Sequence, residues 1–207
     1  MARLEFWYDL ASNYSYLSAM RIDQLAATAK VDIEWRPFLL GPVFKEQGWN
    51  TSPFNIYPAK GAYMKRDMQR IAVQRGLRFQ LPEPFPARSL LATRLALLEE
   101  ADDWTRNFCK SVFIAEFALG EDISNPDILS NILVKLGVET AEALATAQSP
   151  ALKKRLREHT AEAIKKGVFG APSFITEDGE LFWGDDRLEQ ALAWQSNQST
   201  YSLKEKE

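Results

Sequence analysis

The chain has 207 residues, 46% of them hydrophobic, and a formal net charge of −3. It can bury a core in one large domain, or in one domain carrying an insertion, and it is not a disulfide-stapled miniprotein. Lys and Arg are scattered, so neither nucleic acid nor an anionic membrane is an expected partner; a single Cys109 and a single His159 supply no disulfide, redox dithiol or His/Cys metal site.

The N-terminus enters a strand pattern directly, without an apolar signal core, and no run approaches the roughly eighteen apolar residues of a membrane span, so a cytoplasmic protein is expected. Residues 4–8 are aromatic and bounded by charge and turn residues, which predicts a buried strand ending at Asp9. Over 14–29 the apolar positions Tyr14, Leu17, Ile22, Leu25 and Ala26 keep helical spacing. Residues 31–35 alternate again and stop at Arg36-Pro37. Strand, helix and strand in such close succession predict a right-handed crossover with parallel strands.

Residues 38–59 are rich in Pro, Gly, Asn and aromatics and read as a long functional loop lying over Ser12. From 60 to 166 the pattern is helical, with helices predicted near 60–75, 87–101, 104–118, 125–136, 140–147 and 150–166; Asn125-Pro126 and Ser149-Pro150 mark two of the starts. Residues 168–176 read as a loop feeding a strand, Glu177-Asp178-Gly179-Glu180 as a hairpin turn, and Leu181-Phe182-Trp183 as the antiparallel return. Gly184-Asp185-Asp186-Arg187 opens a last helix to about Ser196, and 197–207 reads as a loose tail. This order predicts an α/β, thioredoxin-like fold interrupted by an all-helical insertion domain, with 1–37 and 167–207 as the frame and 38–166 as the insertion.

The first amides of a helix lack intrahelical partners and carry partial positive charge, so Ser12 stands where an anion would be stabilised. Ser12-Asn13-Tyr14-Ser15 occupies the place where thioredoxin-like oxidoreductases carry Cys-x-x-Cys. Disulfide exchange needs a thiolate and a resolving thiol, so this chain cannot perform it with its own side chains; the site can still act on a thiol brought by a ligand. Taken alone, Ser12 is equally well an N-cap. Gly170-Ala171-Pro172 falls where such folds place a cis proline opposite the helix, leaving backbone groups free for a peptide-like ligand, although trans is the commoner isomer of an X-Pro bond.

Other residues have plainer readings. Lys60, Tyr63, Arg66 and Asp67 form a solvated helix face, and Asp185 and Asp186 are acids favoured at a helix start. Trp7, Trp35 and Trp183 read as core, and Cys109, beside Phe108, Val112 and Phe113, as a buried structural thiol. His159, between charged neighbours, reads as exposed, and it is the only possible partner for a Ser-His arrangement.

Five stretches in the same order carry a family resemblance: Asp9-Leu10-Ala11-Ser12-Asn13-Tyr14-Ser15-Tyr16-Leu17, Trp35-Arg36-Pro37-Phe38-Leu39-Leu40-Gly41, Pro58-Ala59-Lys60-Gly61-Ala62-Tyr63-Met64, Phe169-Gly170-Ala171-Pro172-Ser173-Phe174 and Phe182-Trp183-Gly184-Asp185-Asp186-Arg187-Leu188. The chain resembles the 2-hydroxychromene-2-carboxylate isomerases and the related kappa-class glutathione transferases. The resemblance implies a homodimeric, glutathione-dependent isomerase of an aromatic-degradation intermediate, or a transferase acting on electrophiles; a non-catalytic thioredoxin-like peptide-binding module is the alternative. It implies Ser12 as the catalytic residue, hydrogen-bonded to the glutathione sulfur. It gives Ala171, before Pro172, to the cysteinyl backbone, Asp185 and Asp186 to the γ-glutamyl end, and Asn50 and Lys60 to further glutathione contacts. For a carboxylate substrate, Arg36, Lys60 and Arg88 are the candidate cations near the sulfur. The family pattern has proline after the serine; this chain has Asn13, which bears on the geometry of the turn.

Overall fold

Residues 2–98 and 103–204 are described in this computed structural model. Strand β1 (Ala2–Tyr8) organises the fold because its side chains are needed on both faces. Leu4, Phe6 and Tyr8 enter one apolar layer and Trp7 a second, as the two-residue period of a strand dictates. A strand buried on both faces reads as a near-continuous apolar run, which is how 4–8 reads.

Strand β2 (Val31–Pro37) pairs parallel with β1, from Ala2 opposite Val31 to Tyr8 opposite Pro37. On the other side β3 (Ser173–Ile175) pairs antiparallel, with Phe6 opposite Phe174, and β4 (Leu181–Trp183) returns along β3. Among the described residues the sheet order is β2-β1-β3-β4. Rings from neighbouring strands pack across it: Phe6 lies 5.0 Å from Trp35 edge-on and 5.5 Å from Phe174 stacked. A mixed sheet covered by helices is the thioredoxin-like α/β fold that the element order predicts.

The predicted helix over 14–29 is two helices, α1 (Asn13–Ala19) and α2 (Ile22–Ala29). They part at Met20-Arg21, where the Arg21 guanidinium reaches Asp185 and Glu189. Residues 38–59 are not a structureless loop. They hold α3 (Leu40–Glu46), whose Val43 enters the second apolar layer, and α4 (Pro53–Ile56), capped by Ser52 with Pro53 at its first position. Then follow α5 (Pro58–Gln74), α6 (Leu90–Leu95), α7 (Asp103–Leu119), α8 (Pro126–Lys135), α9 (Thr140–Ala147) and α10 (Pro150–Lys165). Helix α6 is shorter than the predicted 87–101, whose last three residues lie outside the described ones.

The last helix, α11 (Leu188–Lys204), runs past the predicted end at Ser196. The segment is polar but contains no Gly or Pro, and polarity alone does not stop a helix; residues 205–207 of the predicted tail lie outside the described ones. Two burial expectations reverse. His159 is 8% exposed and packs beside Trp7, because Leu156, His159, Thr160 and Ala163 share the inward face of α10. Trp183 is 53% exposed, its ring lying on Phe169 at 4.9 Å. No helix among the described residues is long and apolar enough to cross a membrane.

Candidate active site

Asp9, at the end of β1, builds the turn that holds the site. Its carboxylate accepts from Ala11 N at 2.9 Å, an Asx-type turn, from Leu40 N at 2.7 Å and from Ser89 Oγ at 2.7 Å. It therefore ties β1 to the start of α3 and to the start of α6. Burial pushes this carboxyl above its ordinary value, against the opposing pull of those three donors. The sequence reading passed over Asp9, although an acid directly after a strand and three residues before a helix cap carries the signal of such a turn.

Ser12 follows as the N-cap of α1. Its backbone is extended, its Oγ accepts from Ser15 N at 3.2 Å, and the same hydroxyl donates to Ala171 O at 3.0 Å. That second bond crosses 159 positions of chain. The Ala171-Pro172 bond is cis, so Ser12 and this proline face one another as the thioredoxin-like reading expects. The loop is closed from behind by Ser173 Oγ donating to Gly170 O and by Gly184 N donating to Pro172 O, both at 2.9 Å. Gly170 is glycine because a Cβ there would lie 2.3 Å from Trp183 Nε1.

The amides at the start of α1 are largely occupied from within. Ser15 N has the Ser12 hydroxyl, and Tyr14 N has Asn13 Oδ1 at 2.9 Å. What the turn presents is the Ser12 hydroxyl itself. Asn13, standing where the family pattern has proline, is 2% exposed and donates through Nδ2 to Met64 Sδ, which ties the turn to α5. Ser15 Oγ, on a fully buried residue, has no hydrogen-bond partner among the described residues.

The structure separates the two adjacent aspartates. Asp185 is 4% exposed, and its carboxylate accepts from Ser18 Oγ at 2.9 Å, from Arg21 and from Arg75 at 2.7 Å. These bonds lock the short 3-10 turn at Asp185–Arg187 to α1 and to the C-terminal end of α5. The Asp186 carboxylate is 74% exposed, with Arg187 at 3.4 Å. Asn50 and Lys60 are both exposed, and the Lys60 ammonium stands over the Tyr57 ring at 4.8 Å.

Of the other cations considered, Arg36 is paired with Glu34 and Glu162 and covers Trp7, while Arg88 is exposed. Cys109 is buried beside the Tyr8 hydroxyl, and burial pushes its thiol up to about 12. It is a structural thiol, as its apolar helical surroundings predict. Sequence reasoning also missed Glu116, which is fully buried in α7. The signal was a lone acid in the apolar run Val112-Phe113-Ile114-Ala115-Glu116-Phe117-Ala118.

A four-stranded mixed sheet with a cis proline facing a capped helix start defines a thioredoxin-like protein, here without a thiol in the redox position. The chain belongs to the family of DSBA-like thioredoxin domains, which it matches over residues 3–193. It is 28% identical over 190 residues to a 2-hydroxychromene-2-carboxylate isomerase of Sphingobium xenophagum, covering 90% of this chain and 94% of the relative. It is also 28% identical over 207 residues to a kappa-class glutathione transferase of Caenorhabditis elegans, kappa 2, covering 90% and 88%. A solved 2-hydroxychromene-2-carboxylate isomerase superposes with a TM-score of 0.86 over 98% of both chains, at 26% identity. These are the two groups that the sequence motifs resemble, and the chain stands among the enzymes of its family.

Proposed function

We propose that the protein is a glutathione-dependent isomerase acting on 2-hydroxychromene-2-carboxylate or a related aromatic-degradation intermediate, as a cytoplasmic homodimer. The observation that carries this reading is the Ser12 hydroxyl bonded across to Ala171 O beside a cis proline, in a turn with no thiol of its own. The donor set complements the tripeptide. A hydroxyl suits the sulfur, the Ala171 carbonyl suits a cysteinyl N–H, the exposed Asp186 carboxylate suits the γ-glutamyl ammonium, and the Asn50 amide suits a carboxylate.

Bound glutathione supplies a thiolate able to add reversibly to a conjugated, ring-opened substrate, so that a double bond becomes a rotatable single bond. The chain's own task is to orient that sulfur and favour its ionised form. Ser12 does so by exchanging partners. Its proton, held by Ala171 O in the free protein, turns to the sulfur, and Ala171 O is released to accept from the ligand backbone. Asp185 takes no ligand in this reading; held by Ser18, Arg21 and Arg75, it fixes the turn from which Asp186 projects.

The test follows the absorbance of 2-hydroxychromene-2-carboxylate with catalytic glutathione. Isomerisation that needs only a trace of thiol, and that falls at least tenfold in Ser12→Ala, supports the reading. Stoichiometric loss of thiol would return the kappa-class transferase instead, and peptide binding without glutathione binding would return a binding module.

A further inference from the structure

Strand β4 ends the sheet, and no strand lies beyond it among the described residues. Two cross-strand bonds, Thr176 N to Glu180 O at 3.1 Å and Gly184 N to Pro172 O at 2.9 Å, fix which residues of β4 bond to β3. In an antiparallel pair such bonds fall on every second residue, so Phe182 turns its backbone toward Phe174, while Leu181 and Trp183 turn theirs outward. The free edge therefore offers two N–H donors and two C=O acceptors over three residues, with no hydrogen bond from them to any other described residue.

Aromatic rings flank that edge on both faces. Trp183 lies on Phe169 on the face that Leu181 shares, and Phe182 meets Trp194 at 6.1 Å on the opposite face. Trp183, Phe169 and Trp194 are 53%, 45% and 41% exposed. Together they present about 300 Å² of apolar surface, against the roughly 800 Å² that each partner contributes to a standard protein interface. That area is enough for a short extended segment and too little for a second folded copy. Charge points the same way. Exposed Glu177, Asp178 and Glu180 crowd the hairpin before β4, so pairing of two copies about Phe182 would set this acidic hairpin against the exposed Asp186 of the partner subunit.

We propose that the free edge of β4 docks an extended peptide segment as an added antiparallel strand. Three apolar residues of the segment lie opposite Trp183, Phe182 and Leu181, and a Lys or Arg directly after them lies opposite Glu180. The residues facing Trp183 and Leu181 make the backbone bonds; the residue facing Phe182 makes none to this edge and supplies only its side chain. The antiparallel direction is the more stable per residue, and it carries the basic end of the segment to the hairpin acids. Docking at this edge uses neither Ser12 nor Ala171, so it is independent of the glutathione reading.

The experiment follows the fluorescence anisotropy of a fluorescein-labelled, C-terminally amidated peptide, TVFVKK, titrated with the full chain. Its Phe is placed opposite Phe182, its valines opposite Trp183 and Leu181, and its first lysine opposite Glu180. Saturable binding is expected. Methylating both valine backbone nitrogens should weaken it at least about tenfold, because those N–H groups bond the edge. Methylating the Phe nitrogen, which points away from the edge, should change it less than about twofold. Glu180→Lys, a change on an exposed side chain, should weaken TVFVKK about fivefold and strengthen TVFVEE by a similar factor. Trp183→Ala should weaken both peptides, and S-methylglutathione affinity in calorimetry should stay within about twofold in Glu180→Lys. Binding that fails to saturate by about 1 mM, equal losses from valine and Phe methylation, or TVFVKK affinity unchanged in Glu180→Lys overturns the proposal. So does a dimer that sedimentation shows to dissociate in Trp183→Ala, which would put a second copy on the edge. If S-methylglutathione does not bind while the peptides follow the predicted pattern, the edge site stands and the glutathione reading alone fails.

Discussion

Glu116 gives a sharp test of the electrostatics behind the site. The residue is fully buried in α7, and neither carboxyl oxygen has a hydrogen-bond partner among the described residues. Burial first, then the nearby Asp9 and Asp122 carboxylates, raise it well above its ordinary value of 4.5, so the folded protein holds a proton there that the unfolded chain releases near that pH. A carboxyl whose folded value is raised contributes most at low pH, and its contribution is lost as the pH rises from the unfolded value toward the folded one. The slope is one proton, about 1.4 kcal/mol per pH unit.

Glu116→Gln keeps the shape and cannot ionise. Its buried amide lacks partners as the acid does, a cost of about 1–3 kcal/mol that does not change with pH. From pH 5 to pH 7 the variant should therefore gain on the wild type by up to about 3 kcal/mol, two units at that slope. Urea titrations followed by tryptophan fluorescence at pH 5, 6 and 7 and fixed ionic strength measure the difference. Midpoints that run parallel, or a wild type that gains on the variant as pH rises, would refute the reasoning, because either means that Glu116 is ionised in the folded protein.

Asp185→Ala leaves Arg21 and Arg75 facing an empty site and should cost about 3 kcal/mol in urea melts, whereas Asp186→Ala should stay within about 0.5 kcal/mol of wild type and lose glutathione affinity in calorimetry. Equal stability losses would show that the Asp185 pairs do not hold the turn. Cys109, with its thiol at about 12 and no exposed surface, should be labelled by iodoacetamide at pH 8 only as fast as the protein unfolds; rapid labelling under native conditions would contradict its burial. Gly61→Ala should cost about 1–3 kcal/mol in thermal melts by forcing α4 off α5, and an unchanged melting temperature would contradict their close approach.

The two parallel strands were legible because 4–8 is a short aromatic run bounded by charge and turn residues and 31–35 alternates, neither of which is a helical pattern, and α9 was legible to the residue because turn signals bound it on both sides. The break between α1 and α2 was not legible. Apolar spacing runs on through Met20-Arg21, and what divides the helix is an ion pair with residues more than 160 positions away. Residues 38–59 hid two helices because their Pro and Gly residues, the usual marks of a loop, sit at helix starts and ends, as Pro53 does at the first position of α4. Adjacent residues of one type cannot be told apart by sequence when their surroundings differ. Asp185 and Asp186 read alike, and only the arginines of α5 and of the α1–α2 junction decide which carboxylate remains exposed.

The same long-range packing bears on the anion proposed for the Ser12 turn. Asp9 is bound through its own carbonyl to Ser12 N at 2.9 Å, so its buried carboxylate lies directly behind the turn. A second charge at Glu116, close enough to raise its own pKa against Asp9, would put two carboxylates behind the position proposed for the thiolate. Three donors hold Asp9 in place and, among the described residues, none reaches Glu116, so the proton belongs on Glu116 and the second charge is withheld. Repulsion between like charges across a low-dielectric interior is strong, and removing one of the two lowers the opposition that the sulfur's negative charge meets. In the Glu116→Gln variant that arrangement is permanent. Its glutathione affinity should therefore hold steady at high pH, where the wild type, once it loses the Glu116 proton, should bind the thiolate less well.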